Sequence, residues 1–127
     1  MELSYTVETG KEFDAVVAAI EKASAANNFR VLYIHDVQNT LEGKGFKRSF
    51  YKIIEICNAG FAFKALEISP EIGLFMPCKI NVYIRGSKTL ISAMRPSLIS
   101  EFFKTPQLKE LADEVEKTIR SIVDESK

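Results

Sequence analysis

Apolar and polar residues alternate along this chain with two different periods. Leu3, Tyr5 and Val7 take turns with Ser4, Thr6 and Glu8, the two-residue repeat of a strand. Thr9 stands three residues before Glu12, the spacing of a capping box, and opens a first helix. Phe13, Val16, Val17, Ile20 and Ala23 fall on one face of that helix, which fades at Asn27 and Asn28. Phe29 to Val37 predicts a second strand that is apolar on both sides. Phe29, Val31 and Tyr33 lie on one face, Leu32 and Ile34 on the other. The polar segment from Gln38 to Ser49 predicts a loop, with room for one helical turn through Leu41.

Phe50 to Cys57 predicts a third strand, again apolar on both faces. Asn58 suits the N-cap of a short helix through Phe61, Ala62, Ala65 and Leu66, and Ser69-Pro70 ends it. After the run "EIGLFMP", Cys78 to Ile84 is the cleanest alternation in the chain. A tight turn at Arg85–Lys88 leads into a fifth strand, Thr89 to Met94. Arg95-Pro96 breaks that strand. Thr105 and Pro106 suit the N-cap and first position of a last helix. Its stripe is Leu108, Leu111, Ala112, Val115, Ile119, Ile122 and Val123. The order is strand, helix, four strands, helix, with a short helix inserted between strands three and four. Four successive strands with short links favour an antiparallel meander, and two amphipathic helices can cover one face of it. The expected class is α+β, built on a single five-stranded antiparallel sheet.

Composition narrows the function more than it names it. The 127 residues suit one domain, 1–127, and 46% of them are apolar, which rules against disorder. Seventeen basic residues balance seventeen acidic ones. A net charge near zero supplies no long-range field for a polyanion, so neither nucleic acid nor an acidic membrane surface is an expected partner. It also does little to keep copies apart, and with two strands apolar on both faces it makes a homodimer the expected state. The opening "MELSYTVETG" reads as a strand rather than a signal peptide, and no apolar run approaches the length of a membrane span. The expected location is the cytoplasm, where both cysteines would be reduced thiols. Those two cysteines and one histidine give no zinc pattern.

The stretch "EICNAGFAFKAL", followed by "IGLFMPCKINVYI", resembles the family called domain of unknown function 302. In that family a strand ends in Cys-Asn-Pro, a short helix follows, and an apolar-Pro-Cys corner leads into the next strand. The pattern maps onto Cys57, Asn58, Leu66, Pro77 and Cys78, with Ala59 standing where the family often has proline. The resemblance covers roughly residues 29–96. It implies a fold like one repeat of the TATA-box-binding protein, with dimers, and it implies no reaction.

Candidate chemistry gathers at one corner. Phe75, Met76, Pro77 and Cys78 run in sequence at the mouth of strand four, and Cys57 closes the adjacent strand. Alternation puts Cys78 on the face of Ile80, Val82 and Ile84, and Cys57 on the face of Glu55, so the two sulfurs should not bridge. Cys78 reads as a small buried hydrophobe. A pocket wall and a reactive or metal-bound thiol are the competing readings. His35 has no orienting partner evident in the sequence, and "EGKGFKRS" lacks the spacing of a phosphate-binding loop. No triad or carboxylate pair can be read, so no catalytic residue, cofactor or metal is assigned. The expected function is a non-catalytic, dimeric binding or sensing module. Its small apolar ligand would be held by Phe75, Met76, Pro77, Cys78 and Cys57. A thiol-dependent redox or metal function centred on Cys78 and Cys57 is the alternative. Nucleic-acid binding by analogy with the fold comes third.

Overall fold

The computed structural model describes residues 2–127. Strand β1 (Ser4–Thr9) is followed by helix α1 (Phe13–Ala26), strand β2 (Arg30–Asp36) and a short helix α2 (Val37–Glu42). Strand β3 (Tyr51–Cys57) leads into helix α3 (Ala59–Ile68) and a 3-10 helix at Pro70–Phe75. Strands β4 (Cys78–Arg85) and β5 (Lys88–Met94) form a hairpin, followed by a second 3-10 helix, Pro96–Glu101, and helix α4 (Pro106–Ser126). The five strands make one antiparallel sheet in the order β1-β5-β4-β3-β2. The last four strands are thus a meander, and β1 closes its β5 side.

Both long helices lie on one face of the sheet. Ile54, Ile56, Ile80, Val82, Ile91 and Ala93 rise from that face and meet Phe13, Val16, Val17 and Ile20 of α1 and Leu111, Val115, Ile119 and Ile122 of α4. These helical residues recur at three- and four-residue steps, so one stripe of each helix is removed from water. The turn between β4 and β5 depends on Gly86, whose φ of 60° is a left-handed conformation open to glycine without a steric penalty. Among the described residues, no helix is long and apolar enough to cross a membrane.

Two expectations are corrected. Thr9 does not open a capping box. The N-cap of α1 is Glu12, in extended conformation and without a side-chain cap bond, and Thr9 Oγ1 instead accepts from the Lys11 N–H at 3.2 Å. Strand β2 is also not a plain alternation. Its register slips between Val31, opposite Ile56, and Tyr33, opposite Glu55, so Leu32 is an extra, bulged residue. The bulge brings Val31 and Ile34 to the same helix-covered face, where strict alternation would separate them. Tyr33 and His35 are left on the open face. The Gln38–Ser49 segment begins inside α2, whose N-cap Asp36 accepts from the Asn39 N–H at 3.0 Å.

The open face has its own local order. Tyr51 and Tyr83 are opposite one another on β3 and β4, and their rings stack 5.2 Å apart with planes 9° from parallel. Leu90 is opposite Tyr83 on β5 and only 2% exposed, although it points away from the helices. The Arg48 guanidinium sits over the Tyr51 ring at 5.0 Å. Asn81 Nδ2 donates to Tyr51 Oη at 2.9 Å, while Asn81 Oδ1 is buried with no partner.

Candidate functional site

A cavity opens at the end of the sheet where β3 stops and β4 begins. Its position follows from three local choices in the sequence. Asn58 ends β3 and caps α3, its Oδ1 accepting from the Phe61 N–H at 3.0 Å. Its Nδ2 donates to the Asn28 carbonyl at 3.0 Å and so fastens the start of α3 to the end of α1. Ser69 then ends α3 and caps the 3-10 helix, with Pro70 at its first position. The cis peptide between Met76 and Pro77 delivers the chain into β4. Helix α3 and the 3-10 helix thereby form a flap that stands off the sheet, and α4 passes behind it.

The flap, the sheet end and α4 do not fill the space between them. The enclosed part of the gap is about 70 Å³. Ile56, Cys57 and Cys78 border it from the sheet. Phe61, Ala62 and Ala65 of α3 face it, with Ile72, Phe75, Met76 and Pro77 following. Leu108, Leu111, Ala112 and Val115 of α4 close the back, beside Phe29, Pro96 and Ile99. Among the described residues, no charged side chain lines it, and the only polar one besides the thiols is that of Asn58, both ends of whose amide already have partners.

All five residues singled out from the sequence meet here: Phe75, Met76, Pro77, Cys78 and Cys57 line the same cavity. Cys78 is opposite Ile56 across the β3–β4 ladder, whereas Cys57 is opposite Arg30 on β2. Both thiols are free. Burial pushes the Cys78 thiol up to about 11; the neighbouring Cys57 adds to the rise and Lys79 opposes it. At neutral pH that thiol is protonated and a poor nucleophile.

The sequence did not point to the back wall. Leu108, Leu111, Ala112 and Val115 belong to a plain amphipathic stripe, and such a stripe looks the same whether it meets a sheet or a cavity. Ala62, Ala65 and Ala112 are the one available signal, since small side chains at three facing positions leave the helices unable to close the gap.

His35 lies elsewhere, on the open face. Its Nε2 is 3.1 Å from Glu55 Oε2, and its ring packs edge-on to Tyr33 at 4.7 Å. The carboxylate partner that the sequence did not reveal is therefore supplied by β3, one register step away. A shallow cleft of about 270 Å³ between α2 and β3 borders this pair and Lys79. Another, of about 400 Å³, lies at the far end of the sheet between Lys11, Phe50 and Ser87. The "EGKGFKRS" segment runs from the end of α2 to the start of β3 and is exposed throughout. Among the described residues, no three His, Cys, Asp or Glu side chains come together as metal ligands would.

Known proteins place this arrangement in a family. A crystal structure of an uncharacterized conserved protein DUF302 from Bacillus stearothermophilus superposes with a TM-score of 0.95 at 27% identity, covering 100% of both chains. An uncharacterized protein of Aquifex aeolicus (strain VF5) is 29% identical over 122 residues, 93% of this chain and 79% of the relative. The family model described as "Domain of unknown function DUF302" matches residues 5–126, so it takes in α1 and α4 as well as the Cys-Asn and Pro-Cys corners. With that match spanning the sheet, both covering helices and every wall of the cavity, the chain belongs to the DUF302 family.

Proposed function

We propose that this protein is a non-catalytic binding or sensing module that takes a small apolar ligand in the cavity between α3 and α4 and works as a homodimer. One observation carries the reading: the cavity has no charged side chain and no unsatisfied side-chain amide. A polar or charged ligand entering it would lose its hydration and gain no partner. An apolar one gains by leaving water and needs none. Reaction chemistry has little support in comparison. Cys78 is held protonated, and the single histidine is on the opposite face of the sheet, engaged with Glu55. The redox or metal alternative has no base or third ligand among the described residues beside the thiols, and the nearby Lys79 does not offset the burial of Cys78. The homodimer rests on exposed Leu32 and Tyr33 along the edge strand β2 and on the net charge of zero.

A native mass spectrum of freshly purified protein tests the reading. The expected result is a dimer that carries a small organic mass and releases it on mild activation. A bare monomer that takes up no apolar compound when challenged would overturn it.

A further inference from the structure

The walls of the cavity say more about its occupant than that it is apolar. The enclosed 70 Å³ is about half of the roughly 150 Å³ of an apolar cavity that stays dry and admits a benzene ring. One flat ring therefore fills the enclosed part, and the rest of a ligand lies toward the open side. A long acyl chain is several times larger, and its carboxylate would find no cation in the lining.

Surface chemistry narrows the choice further. Ala62 and Ala65 of α3 and Ala112 of α4 border the slot between the two helices, beside the larger Phe61, Leu108, Leu111 and Val115. Three aromatic rings and three sulfur-bearing side chains belong to the remaining wall. Phe29 and Phe61 sit 6.0 Å apart and tilted by 47°, and Phe75 is the third ring. Cys57, Met76 and Cys78 bring three sulfur atoms to the lining residues. Tilted aromatic pairs and sulfur–aromatic contacts both favour a ring over an alkyl group of equal volume.

We infer that the ligand presents one uncharged aromatic ring to the slot between α3 and α4, and leaves the rest of the molecule, with any polar substituent, on the open side. This inference rests on the binding reading above and adds the ligand class to it.

The test titrates the full-length protein with toluene, indole and naphthalene, with hexanol as the flexible aliphatic control, and with palmitate as the long-chain one. Binding is read from the methyl signals of Ala62, Ala65 and Ala112 and from protection of Cys78 against a thiol reagent. The expected result is saturable binding of the rings, at least about tenfold tighter than hexanol, the equivalent of one good aromatic pair. Ala112→Leu, which fills the slot, should abolish ring binding while its unfolding midpoint stays level or rises; if that variant does not fold, Ala62→Leu serves in its place. Equal or tighter binding of hexanol or palmitate would overturn the ring assignment and leave the binding module standing. Failure of every compound to bind would overturn both. Ring binding unchanged in a folded Ala112→Leu or Ala62→Leu protein would place the site elsewhere and overturn the assignment to this slot.

Discussion

Glu116 holds Ser97 twice: its Oε1 accepts from Ser97 Oγ at 2.6 Å and from the Ser97 backbone N–H at 3.1 Å. Its Oε2 takes Arg95 Nε at 3.3 Å and Arg120 Nε at 3.4 Å. This one carboxylate ties the 3-10 helix that carries Pro96 and Ile99 to α4, so two walls of the cavity share a fastening. Burial pushes the Glu116 carboxyl up, but the Ser97 and Arg95 bonds outweigh it and the net value lies below the ordinary one.

The fold therefore binds the ionised form of Glu116. Its contribution is fully present above the unfolded carboxyl value, near 4.5, and is lost as pH falls through the lower folded value. Glu116→Gln is expected to cost about 1.5–3 kcal/mol at neutral pH, the range for hydrogen bonds to a charged group. Urea unfolding of both proteins from pH 7 to pH 3 checks this. The gap between them should hold down to about pH 5 and narrow below it. A gap independent of pH would mean that shape, not charge, holds the 3-10 helix.

Most of the frame was legible in the chain. Val16, Val17 and Ile20 on α1, the alternation through Ile80 and Val82, and the caps Asn58 and Thr105 all sit where their spacing and chemistry put them. What escaped was set by tertiary contact. The bulge at Leu32 leaves no mark in the apolar pattern, because Val31, Leu32, Tyr33 and Ile34 are all apolar or aromatic and fit either register. The Glu55 partner of His35 is twenty residues along the chain and meets it only through the β2–β3 ladder. The Phe75–Cys78 corner could be read as a wall, but not the alanines whose small side chains leave the space before it unfilled.

Cys78 offers a test in the other direction of pH. Its folded value, about 11, lies above the ordinary thiol value of 9.0, so the fold favours the protonated form. That contribution is intact below the unfolded value and is lost as pH rises toward 11. Cys78→Ala should cost roughly 1 kcal/mol at pH 7, less as the pH climbs past 9, and Cys78→Ser should cost more. In the native protein Cys78 should react with a thiol reagent more slowly than an unstructured peptide does. Labelling faster than the peptide at neutral pH would show an activated thiol and falsify the reading of Cys78 as a packing residue.

Asn58 joins two helix ends, so its loss should be felt at both. Asn58→Ala removes the cap on α3 and the bond to the Asn28 carbonyl, at an expected cost of about 1–2 kcal/mol. Asn58→Asp keeps the cap and loses only the second bond, and should fall between the two. Thermal melts rank the three proteins. Asn58→Asp melting with or below Asn58→Ala would show that the bond to Asn28, not the cap, carries the stability.

The edge strand gives the proposed dimer a specific form. Leu32 and Tyr33 are exposed on β2, and a stable interface there should bury well over about 1,000 Å² in total. Sedimentation at micromolar concentration should show a dimer, and Leu32→Lys should shift it to monomer. A wild-type protein that sediments only as a monomer would rule the dimer out, and a dimer undisturbed by Leu32→Lys would move it to another surface.

Helix α4 is fastened unevenly along its length. Its last turn is tied down by Tyr5 Oη to Asp124 at 2.6 Å, by Asn27 Nδ2 to Glu125 at 3.1 Å and by Lys11 Nζ to the Ser126 carbonyl at 3.5 Å. Its first turns, Leu108 to Val115, border the cavity and also pack into the core through Leu111 and Val115. The polar clamps thus gather at the end remote from the cavity, with Glu116 near the middle as the point where the Pro96–Glu101 segment rides on the helix. Widening the slot by deflecting the cavity end separates the Leu111 and Val115 contacts and leaves the polar clamps in place. Local opening at Leu108–Val115, seen as amide exchange faster than at Ile119–Val123, is the motion this clamping allows, and it would let a molecule as broad as a ring pass without unfolding the domain.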